Sequence, residues 1–103
     1  MNELTPKEVQ ILKVVYDAFG GACLERQLLA FSDISHDDID ELAKKNFLKR
    51  YEVEGLRFLI VRHAFYKLIG NPNRNFTLTG YNLKKSALLA EYWLSKFPTV
   101  PLH

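Results

Sequence analysis

The chain has one cysteine, one tryptophan and one methionine in 103 residues, and no long uninterrupted apolar run. Each scarcity excludes something. A lone Cys23 rules out an internal disulfide framework and a zinc site built from several cysteines, the usage of a protein kept in a reducing compartment, so the cytoplasm is the expected location. The longest apolar segment, LRFLIVRHAFYKLI, is broken by Arg57, Arg62, His63 and Lys67. No basic start followed by an apolar run opens the chain, and neither a signal peptide nor a membrane span is expected. Internal repeats and low-complexity segments are missing too.

Catalytic patterns are equally sparse. His36, His63 and His103 are far apart and form no HExxH or paired Cys/His spacing, so no metal site or cofactor is expected. Cys23, between Ala22 and Leu24, reads as a small buried hydrophobe and not as a nucleophile. Gly20 and Gly21 lack the spacing of a phosphate-binding loop and read as helix punctuation. No enzymatic activity is expected.

What the chain does have is a core-forming composition, 48% hydrophobic, enough for one small domain. Its charge is unevenly placed. Residues 1–43 carry nine acids against three bases, a net −6, while residues 44–103 carry eleven bases against three acids, a net +8. One face for a polyanion or an acidic partner follows, with an acidic face turned elsewhere.

The first helix is signalled by LTPKEVQILKVVYDAFGG: Thr5 as N-cap, Pro6 at the first helical position, Glu8 three residues after the cap, then Val9, Leu12, Val15, Tyr16 and Phe19 at helical spacing. Gly20 and Gly21 end it. A short second helix over about residues 25–31 and a turn at SDIS follow, with Ile34 plugging the core. Ser35 caps a third helix whose buried stripe is Ile39, Leu42 and Ala43; His36, Asp37, Asp40, Glu41, Lys44 and Lys45 are then exposed. FLKRYEV and LRFLIVRH read as two strands joined at Glu54 and Gly55.

The run HAFYKLIGNPNRNFTLT either returns as a third strand through GNPNRN or forms a short helix ended by Gly70. The β-branched and aromatic content of NFTLT favours the strand. Thr79 caps a last helix over residues 80–97, stopped by Pro98 and Pro101. That helix has two apolar stripes where a surface helix needs one. Leu83, Ala87, Ala90, Leu94 and Phe97 form the first; Leu88, Leu89, Tyr92 and Trp93 form the second and are the candidate homodimer interface.

The order of helix, short helix, helix and hairpin, with LTPKEVQIL, DIDELAKKNFLKRYEVEGLRF and FTLTGYNL, resembles the winged helix-turn-helix superfamily over nearly the whole chain. In general shape the chain is similar to small regulators and replication accessory proteins of plasmids, phages and other mobile elements. The resemblance implies an α+β winged helix-turn-helix fold: a three-helix core (1–46), a β-hairpin wing (47–79) and an extra C-terminal helix (80–97). It also implies binding to double-stranded DNA, with transcription regulation or a replication or partition role.

The candidate DNA-binding residues are His36, Asp40, Lys44 and Lys45 on the third helix, Lys49, Arg50, Arg57 and Arg62 on the wing, and Lys67 and Arg74 near its turn. Cations so placed neutralise phosphates and release counterions. The aspartates of the third helix pose a difficulty. Asp37 and Asp38 suit the positive end of the helix dipole, but with Asp40 and Glu41 they carry carboxylates towards phosphate. Either a carboxylate accepts from a cytosine amino group, or the wing does the binding, or this helix faces a basic protein partner. A minor alternative is single-strand binding, with Tyr51, Phe58, Phe65 or Tyr66 as stacking platforms.

Overall fold

Three residues after Thr5 sits the carboxylate that completes its cap. In the computed structural model, which describes residues 3–71 and 76–96, the Glu8 amide donates to Thr5 Oγ1 at 3.1 Å and the Thr5 amide donates to Glu8 Oε1 at 2.8 Å. Helix α1 (Pro6–Lys13) starts there and buries Ile11 and Leu12. It then widens into a π-helical turn over Val14–Ala18, which the sequence does not predict. The Gly21 amide closes this turn on the Val15 carbonyl at 2.9 Å. Gly21 has φ of +108°, and a Cβ there would lie 2.8 Å from the Tyr66 hydroxyl, so only glycine fits this corner.

The chain continues through β1 (Ala22–Leu24), α2 (Glu25–Leu29), α3 (His36–Lys44), β2 (Leu48–Val53), β3 (Leu56–Val61), α4 (His63–Leu68) and α5 (Gly80–Lys96). Helix α2 is two residues shorter than expected; Phe31 and Ile34, beyond it, are buried plugs. Helix α3 begins at the Ser35 cap as predicted, with reciprocal bonds between Ser35 and Asp38 at 3.3 and 2.9 Å. Asn46, at φ of +65°, ends it, and the Phe47 amide returns to the Leu42 carbonyl at 3.0 Å. Glu54 and Gly55, both at positive φ, form the two-residue turn that suits the twist of the β2–β3 hairpin.

The sheet is antiparallel and ordered β1-β3-β2. Strand β1 pairs Ala22 with Ile60, Cys23 with Leu59 and Leu24 with Phe58, so β3 has a partner on each edge. That overturns the preference for a third wing strand. No edge of β3 is open for a returning strand, residues 63–70 instead contain α4, and residues 76–79 form no strand. Phe65 and Tyr66 turn inward, and Tyr16 meets both rings edge-on at 6.1 and 5.2 Å. The β2–β3 hairpin spans residues 48–61. The expected turn at Asn71, Pro72 and Asn73, the position of Arg74, and the helix end at Phe97 and Pro98 fall wholly or partly outside the described residues.

The sheet separates two apolar layers. Cys23, Leu48, Leu59 and Val61 pack with α1, α2 and α3, while Ala22, Leu24, Phe58 and Ile60 pack with Leu83 of α5. The fold is α+β. Among the described residues no helix is long and apolar enough to cross a membrane.

Candidate nucleic-acid interface

Alternation along a strand places successive side chains on opposite faces, and that alone divides the hairpin's cations. On β2, Arg50 and Glu52 share a face with Leu59 and Arg57 of β3, while Lys49 lies on the other face with Tyr51 and Ile60. Arg62 continues the β3 alternation in extended backbone, on the side of Ile60 and Lys49. The hairpin does not present one continuous basic strip.

On the first face the cations are already engaged. Glu25, the first residue of α2, is buried with 7% side-chain exposure. Arg50 Nε donates to its Oε1 at 2.9 Å, and Arg57 Nη1 reaches Oε2 at 3.5 Å. His36 Nδ1 lies 3.9 Å from the same Oε2. Arg50 Nη2 also donates to Asp40 Oδ1 at 2.6 Å. Asp40 and Glu25 together raise the Arg50 pKa through these bonds, so the guanidinium stays charged. Two carboxylates and two guanidiniums leave the cluster with no net charge when His36 is neutral, and it offers little counterion release.

Lys45 is likewise committed. Its Nζ donates to Glu8 Oε1 at 2.7 Å and to the Glu3 carbonyl at 2.9 Å. Burial pushes the Glu8 carboxyl up, but the bonds from Lys45 and Thr5 outweigh it and the net shift is downward. Asp38 behaves in the same way: partial burial opposes the Ser35 cap and the Lys7 ammonium at 3.0 Å, and the pKa is lowered.

The aspartates of α3 are thereby explained without DNA. Asp38 caps the helix and holds Lys7, Asp40 holds Arg50, and Asp37 sits exposed in the favourable first turn. The outward side of α3 keeps His36, Asp37, Glu41 and Lys44, with Lys44 loosely against Glu41 at 3.9 Å. Lys49, Arg62 and Lys67 are exposed, the first on β2, the second at the cap between β3 and α4 and the third on α4.

Three of the four candidate stacking aromatics are unavailable. Phe58, Phe65 and Tyr66 are buried in the two core layers, and Tyr51 is half-buried against the second layer. The candidate dimer face also divides. Leu88, Leu89 and Tyr92 are exposed, but Trp93 is partly buried and packs against the main core beside Leu94. Tyr81, 74% exposed, joins the outer set in its place. Sequence reasoning missed Tyr81 because it precedes the dense apolar part of the helix; a helical projection from residue 80 finds it.

Glu25 was missed for a different reason. Its partners lie 11, 25 and 32 residues away, and no local pattern announces a buried carboxylate. No family model matches the chain, and no curated protein or solved structure is significantly similar to it.

Proposed function

We propose that the chain is a winged-helix protein that binds duplex DNA, as a transcription regulator or as a replication or partition accessory factor. The observation that carries the reading is the order α1, α2, α3 and then the β2–β3 hairpin, the order that the winged-helix resemblance leads one to expect. The charge geometry refines which residues act. Lys44, Lys49, Arg62 and Lys67 contact phosphate, because Lys45, Arg50 and Arg57 are held by carboxylates of the chain itself. His36, exposed at the start of α3, is the helix position that reaches a base edge. A homodimer through α5 brings two such surfaces to one duplex, with half-sites about one helical turn apart.

The test is binding to duplex and single-stranded DNA over a salt series. If all four cations meet phosphate, log K falls against log salt with a slope of about −3.6 per protomer, and Lys49→Ala/Arg62→Ala/Lys67→Ala removes roughly three-quarters of that slope. No duplex binding at low salt overturns the reading.

One observation favours a second reading. Asp37 and Glu41 stay outward on α3 while most nearby cations are engaged inside the chain. A module that uses α3 to hold a basic protein partner fits this arrangement, and its binding would be lost on Asp37→Lys/Glu41→Lys while DNA affinity would be absent from the start.

A further inference from the structure

Helix α5 is 17 residues long and buries one side only, through Leu83, Ser86 and Ala90. At about 100° per residue, Tyr81, Leu88 and Tyr92 fall in one row directly opposite; they are 74%, 64% and 56% exposed. With Lys84, Lys85 and Leu89 they line a shallow groove of about 400 Å³. Large apolar side chains in a contiguous row mark an interaction surface more often than bare solvent exposure.

The charges beside the row say what covers it. Lys84 and Glu91, seven residues apart, lie on one flank; Lys85 and Lys96 lie on the other. We propose that this face packs against the same face of a second copy, with the two α5 helices antiparallel. This deepens the homodimer reading above and rests on it.

In an antiparallel pair the two-fold axis brings like flanks together. A crossing near Leu88 then sets Lys84 of each copy beside Glu91 of the partner subunit, and the contact is made twice. Parallel packing brings unlike flanks level, which places Lys84 beside Lys85 of the partner subunit, a repulsive pair with no acid to relieve it. The Lys84–Glu91 flank is therefore self-complementary in the antiparallel orientation only, while the opposite flank, with Lys85 and Lys96, brings bases alone to the pair and adds no attraction. Glu91 Oε1 already accepts from Arg26 Nη2 at 3.4 Å in an exposed pair, and its Oε2, with no partner among the described residues, is the oxygen left for this role. The apolar row supplies the attraction, and the charged flank sets direction and register.

The experiment is the monomer–dimer equilibrium of the full chain without DNA, by sedimentation equilibrium at low salt. Wild type is expected to dimerise. Lys84→Glu and Glu91→Lys should each raise the dimer Kd several-fold, the double variant Lys84→Glu/Glu91→Lys should recover most of the loss, and Arg26→Ala should leave Kd nearly unchanged. Leu88→Asp should give a monomer with an unaltered circular dichroism spectrum. A wild-type monomer at several hundred micromolar overturns the homodimer and this geometry together, including the case where it instead binds an acidic amphipathic peptide. A dimer indifferent to both charge changes, or weakened further by the double variant, overturns the antiparallel register and leaves a dimer of another kind.

Discussion

The surface formed by α2, α3 and β2 and the outer face of α5 handle their side chains in opposite ways. Around Glu25 nearly every charge is answered within the chain: Arg50 by Glu25 and Asp40, Arg57 by Glu25, Lys45 by Glu8, Lys7 by Asp38. On α5 the apolar row of Tyr81, Leu88 and Tyr92 stays exposed among the described residues, with only the Lys96 ammonium over the Tyr92 ring at 5.8 Å. Whether a cation is available to a ligand depends on neighbours far away in sequence. Whether an apolar residue is available depends on helical phase, a local property.

Breaking the ion cluster should cost the most. Arg50→Ala leaves buried Glu25 with Arg57 at 3.5 Å and His36 at 3.9 Å, and a carboxylate stripped of its main partner destabilises by about 2 kcal/mol. Thermal unfolding should fall by roughly 10 °C in a domain of this size. Glu25→Gln sharpens the comparison from the other side: it frees Arg57 and leaves Arg50 to Asp40 alone, lowering stability by about 1 kcal/mol while steepening the salt dependence of DNA binding. An unchanged slope would mean that Arg57 cannot reach phosphate even when released.

Acid unfolding tests the same network. Glu8 and Asp38 have folded pKa values below their ordinary 4.5 and 3.8. The unfolded chain therefore binds more protons in that range, and the stability these groups contribute is complete above about pH 5 and lost as pH falls through 4 and below. Lys45→Ala should flatten the acid limb of a stability–pH profile, and Lys7→Ala should do so less, because Lys7 is far more exposed than Lys45.

The smallest effect belongs to the apolar row. Tyr92→Ser at protein concentrations too low for association should change unfolding free energy by no more than about 0.5 kcal/mol. A larger loss would show that the row already packs within its own chain.

Much of the fold was legible in the sequence because its signals are local. Thr5 with Glu8 and Ser35 with Asp38 are caps three residues apart, and Glu54-Gly55 is a turn of adjacent residues. Strand β1 was hidden because Ala22–Leu24 is three residues long and buried throughout, so it shows no alternation. Missing β1 is also what misdirected the reading of α4, since a third wing strand is plausible only while one edge of β3 is thought open. The candidate site was less legible. Lys49 and Arg50 look alike in sequence, yet one is exposed and the other is held between two carboxylates, a difference made by Glu25 and Asp40 on separate helices.

The π-turn at Val14–Ala18 has a consequence for how this chain varies in length. A π-turn holds one residue more than the α-helical path it replaces, so it behaves as a removable shim between two anchored ends. The Thr5 cap fixes the start of α1 and the Gly20–Gly21 corner fixes its exit, and neither needs to move if the turn tightens to α-helix. Lineages of this protein should tolerate loss of a single residue at 14–18, with Tyr16 shifting against Phe65 and Tyr66, far more readily than a deletion in α3, where Ser35 and Asn46 bind both ends to one length.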